Sequence, residues 1–328
     1  MTGPTHLSET SGCNRRSIKI LTLKAILFLV FAIVLTEAFL RFGLGLGNPV
    51  LIIPDPACEY ILKPNQNVFR FFVHTHINQY GMRSDEIPSG RIPGTLRLLF
   101  VGDSITYGTT QVDQAKIFTE VLHHDLVGIL KRPVEVLNAS AGAWAIDNEL
   151  SFVRSRGIFQ SDFVVLVLND GDVTQPRSTI EQVGDGLPHQ RPSTAIEELY
   201  TRFIRPRFRY MVRRDDAGDI VNPNAEHAIR DNLQDLDSFS NLVTSNNARF
   251  VIIYVPFRRD IPNLSSDAAS ILRNWSSNHH VPMLDVTSDE LPYTAKQITI
   301  DNGVHFNPKG NQVVAQSIER QWSALVGP

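Results

Sequence analysis

Short apolar runs alternate with longer amphipathic stretches from Leu96 to the end of the chain. The runs are Leu96–Val101, Pro133–Leu137, Phe163–Leu168, Phe250–Val255 and Met283–Val286. Runs this short and this uniformly apolar read as strands buried on both faces. Helical periodicity marks the stretches between them, at about Ile117–Leu130, Ile146–Arg156, Ala225–Thr244, Ser266–Asn278 and Pro308–Leu325. Asn307 before Pro308 supplies a cap followed by proline at the first helical position. Strand alternating with helix predicts an α/β domain over residues 96–328, with a parallel sheet of about five strands covered on both faces.

The pattern is different before Leu96. Residues 1–17 are polar and carry Arg15 and Arg16, whereas residues 18–42 are mostly apolar. The strictly uncharged stretch, Ala25 to Thr36, has the length of a signal-peptide core. Its flanks extend it: Lys19 and Lys24 can snorkel toward one headgroup layer, and Glu37 and Arg41 can pair at i,i+4 near the other. Thr36-Glu37-Ala38 is a poor cleavage site. An uncleaved signal anchor over 18–42 is favoured over a cleaved signal or a buried soluble helix. Arg15, Arg16, Lys19 and Lys24 precede the span and only Arg41 closely follows it. The expected topology is single-pass in the cytoplasmic membrane, with residues 1–17 as a cytoplasmic tail and the body extracytoplasmic, periplasmic in a Gram-negative cell.

Residues 43–95 read as a connecting region rich in Gly, Pro and Asn, with one strand-like piece at Val68–Ile77 and a turn at Tyr80-Gly81. A segment at about 174–224 lacks strand runs and carries Pro176, Pro188, Pro192 and Pro206, as an insertion in the domain would. It holds Arg202, Arg205, Arg207, Arg209, Arg213 and Arg214, interleaved with Phe203, Phe208 and Tyr210. Two readings stand for it: a patch for anionic lipid headgroups or an acidic polymer, or a solvated helix face with its aromatics packed inward.

Composition narrows the function classes. A chain of 328 residues with 42% hydrophobic and 20% charged residues is globular. Its net charge of −3 gives no electrostatic case for nucleic acid. Cys13 and Cys58 lie on opposite sides of the apolar segment, so no framework disulfide is expected in an anchored protein. The histidine pairs His74/His76, His123/His124 and His279/His280 lack carboxylate or cysteine partners at ligand spacing, so neither a metal nor another cofactor is expected.

The candidate chemistry lies at Gly102-Asp103-Ser104, where the first domain strand ends abruptly in a polar turn. In parallel sheets that end is where ligands bind, so Ser104 is placed as a nucleophile would be; the plainer reading is a helix cap. Serine needs a base to take its proton. His305, in the loop Asp301-Asn302-Gly303-Val304-His305-Phe306-Asn307-Pro308, can hang over the same edge.

These residues resemble the SGNH, or GDSL, hydrolase family. Gly102-Asp103-Ser104-Ile105-Thr106-Tyr107-Gly108 is similar to its first block, Val136-Leu137-Asn138-Ala139-Ser140-Ala141-Gly142 to its second, and the loop bearing His305 to its last. Ile77-Asn78-Gln79-Tyr80-Gly81-Met82-Arg83-Ser84-Asp85-Glu86 looks like the lead-in of membrane-anchored bacterial members. The resemblance implies a flavodoxin-like three-layer sandwich and a serine esterase acting on an acyl ester, with O-acetylated carbohydrate as a substrate class. It implies Ser104 as nucleophile, His305 as base, and the amides of Ser104 and Gly142 as oxyanion donors. Two blocks depart from the pattern. The third family block, Gly-x-Asn-Asp, aligns Gly171 with its Asn and Asp172 with its Asp, leaving Asn169 to supply the amide donor from two positions earlier. In the last block Asn302 stands where the orienting Asp is expected, with Asp301 one position earlier; Asp301 is the expected orienter and Asn302 its alternative. An O-acyltransferase on the same fold, a degenerate glycan-binding or envelope-assembly module, and an anion-binding flavodoxin-like protein remain as alternatives.

Overall fold

The computed structural model describes residues 10–88, 91–183, 188–205, 225–257, 267–300 and 303–326. The chain forms two compact units, one of residues 1–48 and 192–212, the other of 49–191 and 213–328.

In the larger unit the expected sheet forms. Five strands, β5 (Leu96–Gly102), β6 (Val134–Ser140), β7 (Phe163–Leu168), β8 (Arg249–Tyr254) and β9 (Met283–Asp285), lie in the order β6-β5-β7-β8-β9 and pair in parallel throughout. Alternate strand residues face opposite layers, as the pleat requires. Leu99, Val101, Val164, Leu166, Ile252 and Tyr254 pack on one side with α4 (Ile146–Arg156), α5 (Ala225–Ser245) and α6 (Asp267–His279). Leu98, Phe100, Val165, Val167, Val251 and Ile253 pack on the other with α3 (Phe118–Leu130) and α7 (Pro308–Val326). This is an α/β three-layer sandwich. From β5 the chain steps outward to β6, then returns past β5 to β7. The carboxyl end of β5 is therefore the topological switch point, where an open α/β sheet forms its crevice.

The connecting region proves to be structured. It contributes two antiparallel hairpins, β1 (Ile52–Asp55) with β2 (Glu59–Leu62) and β3 (Gln66–Arg70) with β4 (Val73–Ile77). Tyr60, Leu62, Ile77 and Met82 from this region join the core. The strand-like piece Val68–Ile77 is the β3–β4 hairpin, reversed at Phe71-Phe72 with φ of 50° and 64°. Both residues occupy the left-handed region usually filled by Asn-Gly, so the residue types give no sign of a turn. Cys58 is buried and unbridged, and burial pushes its thiol up to about 12, reinforced by the neighbouring Asp55 carboxylate.

The smaller unit centres on α1 (Thr10–Ala38), which runs into a π-helical turn at Phe39–Gly43. Ile18–Gly43 is long and apolar enough to cross a membrane. A second short helix, Ala195–Glu198 continued by a π-helical stretch at Leu199–Ile204, belongs to the same unit. Leu40, Leu46 and Ala195 form a small buried cluster, with Leu44, Ile196 and Leu199 packed against it. The expected insertion thus divides between the units, and residues 206–224, with Arg207, Arg209, Arg213 and Arg214, lie outside the described residues.

Candidate active site

Ser104 opens a single helical turn, α2 (Ser104–Tyr107), directly after β5. Asp103 caps that turn, its carboxylate accepting from the Ile105 amide at 2.8 Å. Gly102 is required by space, since a Cβ there would stand 2.2 Å from Thr106 Oγ1. Gly108 ends the turn at φ 76°, and a Cβ there would meet Ile117 Cγ2 at 2.5 Å. Both glycines let the chain reverse tightly, leaving Ser104 half-buried at the carboxyl edge of the sheet.

His305 reaches the same edge from the far end of the sequence. Its Nε2 lies 2.9 Å from Ser104 Oγ. The loop is pinned by a bridge between Thr299 and Phe306, with the Ile300 amide donating to the His305 carbonyl and the Asn307 amide to the Ile298 carbonyl. Asn307 Oδ1 accepts from Lys309 and Gly310 at the start of α7. Asn311 is buried, its Oδ1 accepting from the Phe118 amide at the start of α3 while its Nδ2 donates to Phe306 and Asn307 carbonyls. One side chain thus ties the histidine loop to the helix that follows the nucleophile loop. Asp301 and Asn302 lie outside the described residues.

Gly142 sits in the turn after β6. Its carbonyl accepts from the Tyr60 hydroxyl at 2.8 Å, and Trp144 Nε1 donates to the Tyr60 carbonyl at 3.0 Å. The turn is thereby fixed from behind, while the Gly142 amide donates to none of the described residues. Asn169 follows β7 and is buried. Its Nδ2 lies 3.1 Å from Asp103 Oδ2, and its Oδ1 accepts from the Gly171 amide. Asp172 accepts from the Asn169 backbone amide at 2.7 Å. The ends of β5 and β7 are thus joined through Asp103, Asn169 and Asp172.

Arg83 supports the nucleophile turn from beneath and is fully buried. Its guanidinium donates to the carbonyls of Tyr107, Thr109 and Val112 and to Gln114 Oε1. Asn138 Nδ2 donates to the Thr106 carbonyl at 2.7 Å and to Thr119 Oγ1. A buried fork donor is well matched to a cluster of free helix-end carbonyls. Sequence reading places Arg83 in a lead-in motif without assigning it work; its only local signal is the preceding Tyr80-Gly81 turn.

Three carboxyls are buried under this corner. Burial pushes Asp103 up, against hydrogen bonds from Ile105 and Asn169 and the attraction of His305. Burial together with the Asp103 charge pushes Asp172 well up, and burial with both neighbours does the same to Glu149. Neither Glu149 oxygen, nor Asp172 Oδ1, has a hydrogen-bond partner among the described residues. Like charges buried together disfavour one another's ionisation, which adds to burial in holding Glu149 and Asp172 well above the ordinary carboxylate range. Among the described residues no group of His, Cys, Asp and Glu is arranged to hold a metal ion.

No protein-family model matches the chain, and no curated protein matches it. Among solved structures it is similar to LAE5, an alpha/beta hydrolase enzyme from the metagenome of Lake Arreo, at 15% identity over 70% of this chain and 96% of that one, with a TM-score of 0.46. It is similar to the acetylxylan esterase Axe2 of Geobacillus stearothermophilus at 11% identity over 69% and 93%, with a TM-score of 0.47. A lipolytic protein of the G-D-S-L family from Veillonella parvula matches at 13% identity over 70% and 99%, with a TM-score of 0.42.

Proposed function

We propose that this chain is a serine esterase of the SGNH type, anchored by α1 with its catalytic unit outside the cytoplasm. One observation carries the reading: a serine and a histidine 201 residues apart are brought to 2.9 Å at the switch point of the sheet. A surface serine serving only as a helix cap needs no such partner, and Asp103 already fills the capping role.

The chemistry follows from that pair. His305 Nε2 takes the hydroxyl proton as Ser104 Oγ attacks the ester carbonyl carbon. The oxyanion is held by the backbone N–H groups of Ser104 and Gly142. Asn169 adds a third donor, because an amide NH2 carries two hydrogens and only one is directed at Asp103. His305 then returns the proton to the leaving alcohol. Water, deprotonated by the same imidazole, releases the acyl group from Ser104. Asp301 orients the imidazole through Nδ1, with Asn302 as the alternative. The substrate is an acyl ester, and O-acetylated carbohydrate is the class to assay first.

An uncleaved anchor is supported at the end of α1. Glu37 accepts from the Ala195 and Ile196 amides at 2.8 and 3.0 Å, and its partner Arg41 is 2.7 Å away. Cleavage after Ala38 would remove the acceptor and leave those amides unmade. The test of function uses the full chain in detergent, assayed on short-chain p-nitrophenyl esters and acetylated sugars. Wild type is expected to turn over, and Ser104→Ala and His305→Ala are expected to be inert. Absence of turnover by wild type on every ester would contradict the proposal.

A further inference from the structure

We infer that Ala195–Arg205 is a second membrane-contacting element, lying in the headgroup layer of the bilayer that α1 crosses. The inference rests on reading α1 as a membrane span. The two pieces, far apart in sequence, are fastened reciprocally. Glu37, near the end of α1, accepts the first two amides of the short helix, Ala195 and Ile196. In return Glu198, buried within the short helix, accepts the Gly47 amide at 2.5 Å and pairs with Arg202 at 3.5 Å. Glu37 and Glu198 are thereby used in joining the segments, and Glu197 is the acidic side chain that the short helix leaves exposed, beside its apolar groups.

That surface continues the exposed flank of the span. Leu29, Phe31 and Leu35 of α1 are 52–60% exposed, and Phe39 and Phe42 beyond it are 63% and 81% exposed. Tyr200, Phe203 and Ile204 on the short helix are 56%, 38% and 37% exposed. Aromatic rings beside arginines, next to the end of a span, are the composition of a membrane–water interface. Arg205 is exposed at the end of the segment, and its guanidinium complements a phospholipid phosphate. The buried Leu40–Leu46–Ala195 cluster fixes the short helix at the level where the span ends, which is the headgroup level if α1 spans.

The test uses the full chain in vesicles of phosphatidylcholine and phosphatidylglycerol, with acyl chains brominated near their ester ends for Phe203→Trp and near their terminal methyls for Leu29→Trp. Trp144, Trp275 and Trp322 are buried and away from lipid, so wild type supplies an unquenched background that is subtracted. Leu29→Trp reports whether α1 is in the bilayer, and Phe203→Trp reports on the short helix. Both tryptophans are expected to lose most of their emission, and Glu37→Ala is expected to restore emission to the Phe203→Trp protein but not to the Leu29→Trp protein. Quenching of Leu29→Trp without quenching of Phe203→Trp would overturn the inference and leave the span reading intact. Failure of both would overturn the span reading as well.

Discussion

His305 touches Ser104 Oγ through Nε2, so in the proposed mechanism the loss of its imidazole removes the general base. His305→Ala is expected to lower kcat by about 10³-fold or more, within the range that general-base removal produces. Asp301→Ala is expected to lower kcat far more than Asn302→Ala, because an amide in the orienting role holds imidazole in the wrong tautomer; the reverse order would assign the role to Asn302. At the same scale, Glu149 gives a pH signature. A carboxyl whose folded pKa is raised contributes stability that is present below its unfolded value, about 4 for glutamate, and lost as pH rises through the folded value. Glu149 is such a group. Glu149→Gln keeps the shape and cannot ionise, so it should melt higher than wild type at neutral and alkaline pH. The difference should vanish below about pH 4, where both side chains are neutral. Paired thermal melts across pH check this, and a lower melting temperature for the variant at neutral pH would contradict it. Ser104, Gly142 and His305 were singled out in the sequence because each sits in a local block with its own turn chemistry, and the structure brings Ser104 and His305 together. The work of Arg83 and Glu149 was not, because it is set by what tertiary structure brings against them. Asn169 was half legible. Its position after β7 placed it at the site, but its contact with Asp103 is made between strands that the sequence does not join.

Elements carry the geometry. α7 presents the His305 loop only because Gly310 lets it approach the Ala295–Ile298 turn; a Cβ there would lie 2.1 Å from the Ile298 carbonyl oxygen. Gly310→Ala is expected to cost about 1–3 kcal/mol by overpacking. Because the displaced loop is the one that carries the base, kcat should fall with stability. The nucleophile turn depends in the same way on Arg83, whose removal leaves three backbone carbonyls without their donor. Each unmade buried acceptor costs about 1–3 kcal/mol. Arg83→Lys should not restore activity, since one ammonium cannot span carbonyls matched to a planar fork. Melting temperature and kcat measured together test both variants; an active, stable Arg83→Lys protein would show that the fork geometry is not needed. The parallel strands were readable as apolar runs because a sheet covered on both faces leaves no polar alternation. The β3–β4 hairpin was hidden, because Phe71 and Phe72 take left-handed conformations that their side chains do not favour.

The larger unit is a sandwich with its candidate site at the switch point, and an apolar helix precedes it in sequence. Charge on the flanks of α1 predicts the orientation. A tag at the N-terminus should resist protease added to spheroplasts, while a tag after Pro328 should be digested; the opposite pattern would invert the topology. At this scale the sequence separated the apolar N-terminal segment from the domain but could not assign residues 192–205 to the same unit as that segment. That grouping rests on Glu37 and Glu198, each an ordinary acidic residue until its partner amides are seen. The claim on which the rest depends is that Ser104 is an activated nucleophile. The full chain treated with a fluorophosphonate and mapped by mass spectrometry tests it most directly. The account predicts a covalent adduct on Ser104, formed rapidly in wild type and not in the His305→Ala variant; an unlabelled Ser104 in folded wild-type protein would contradict it.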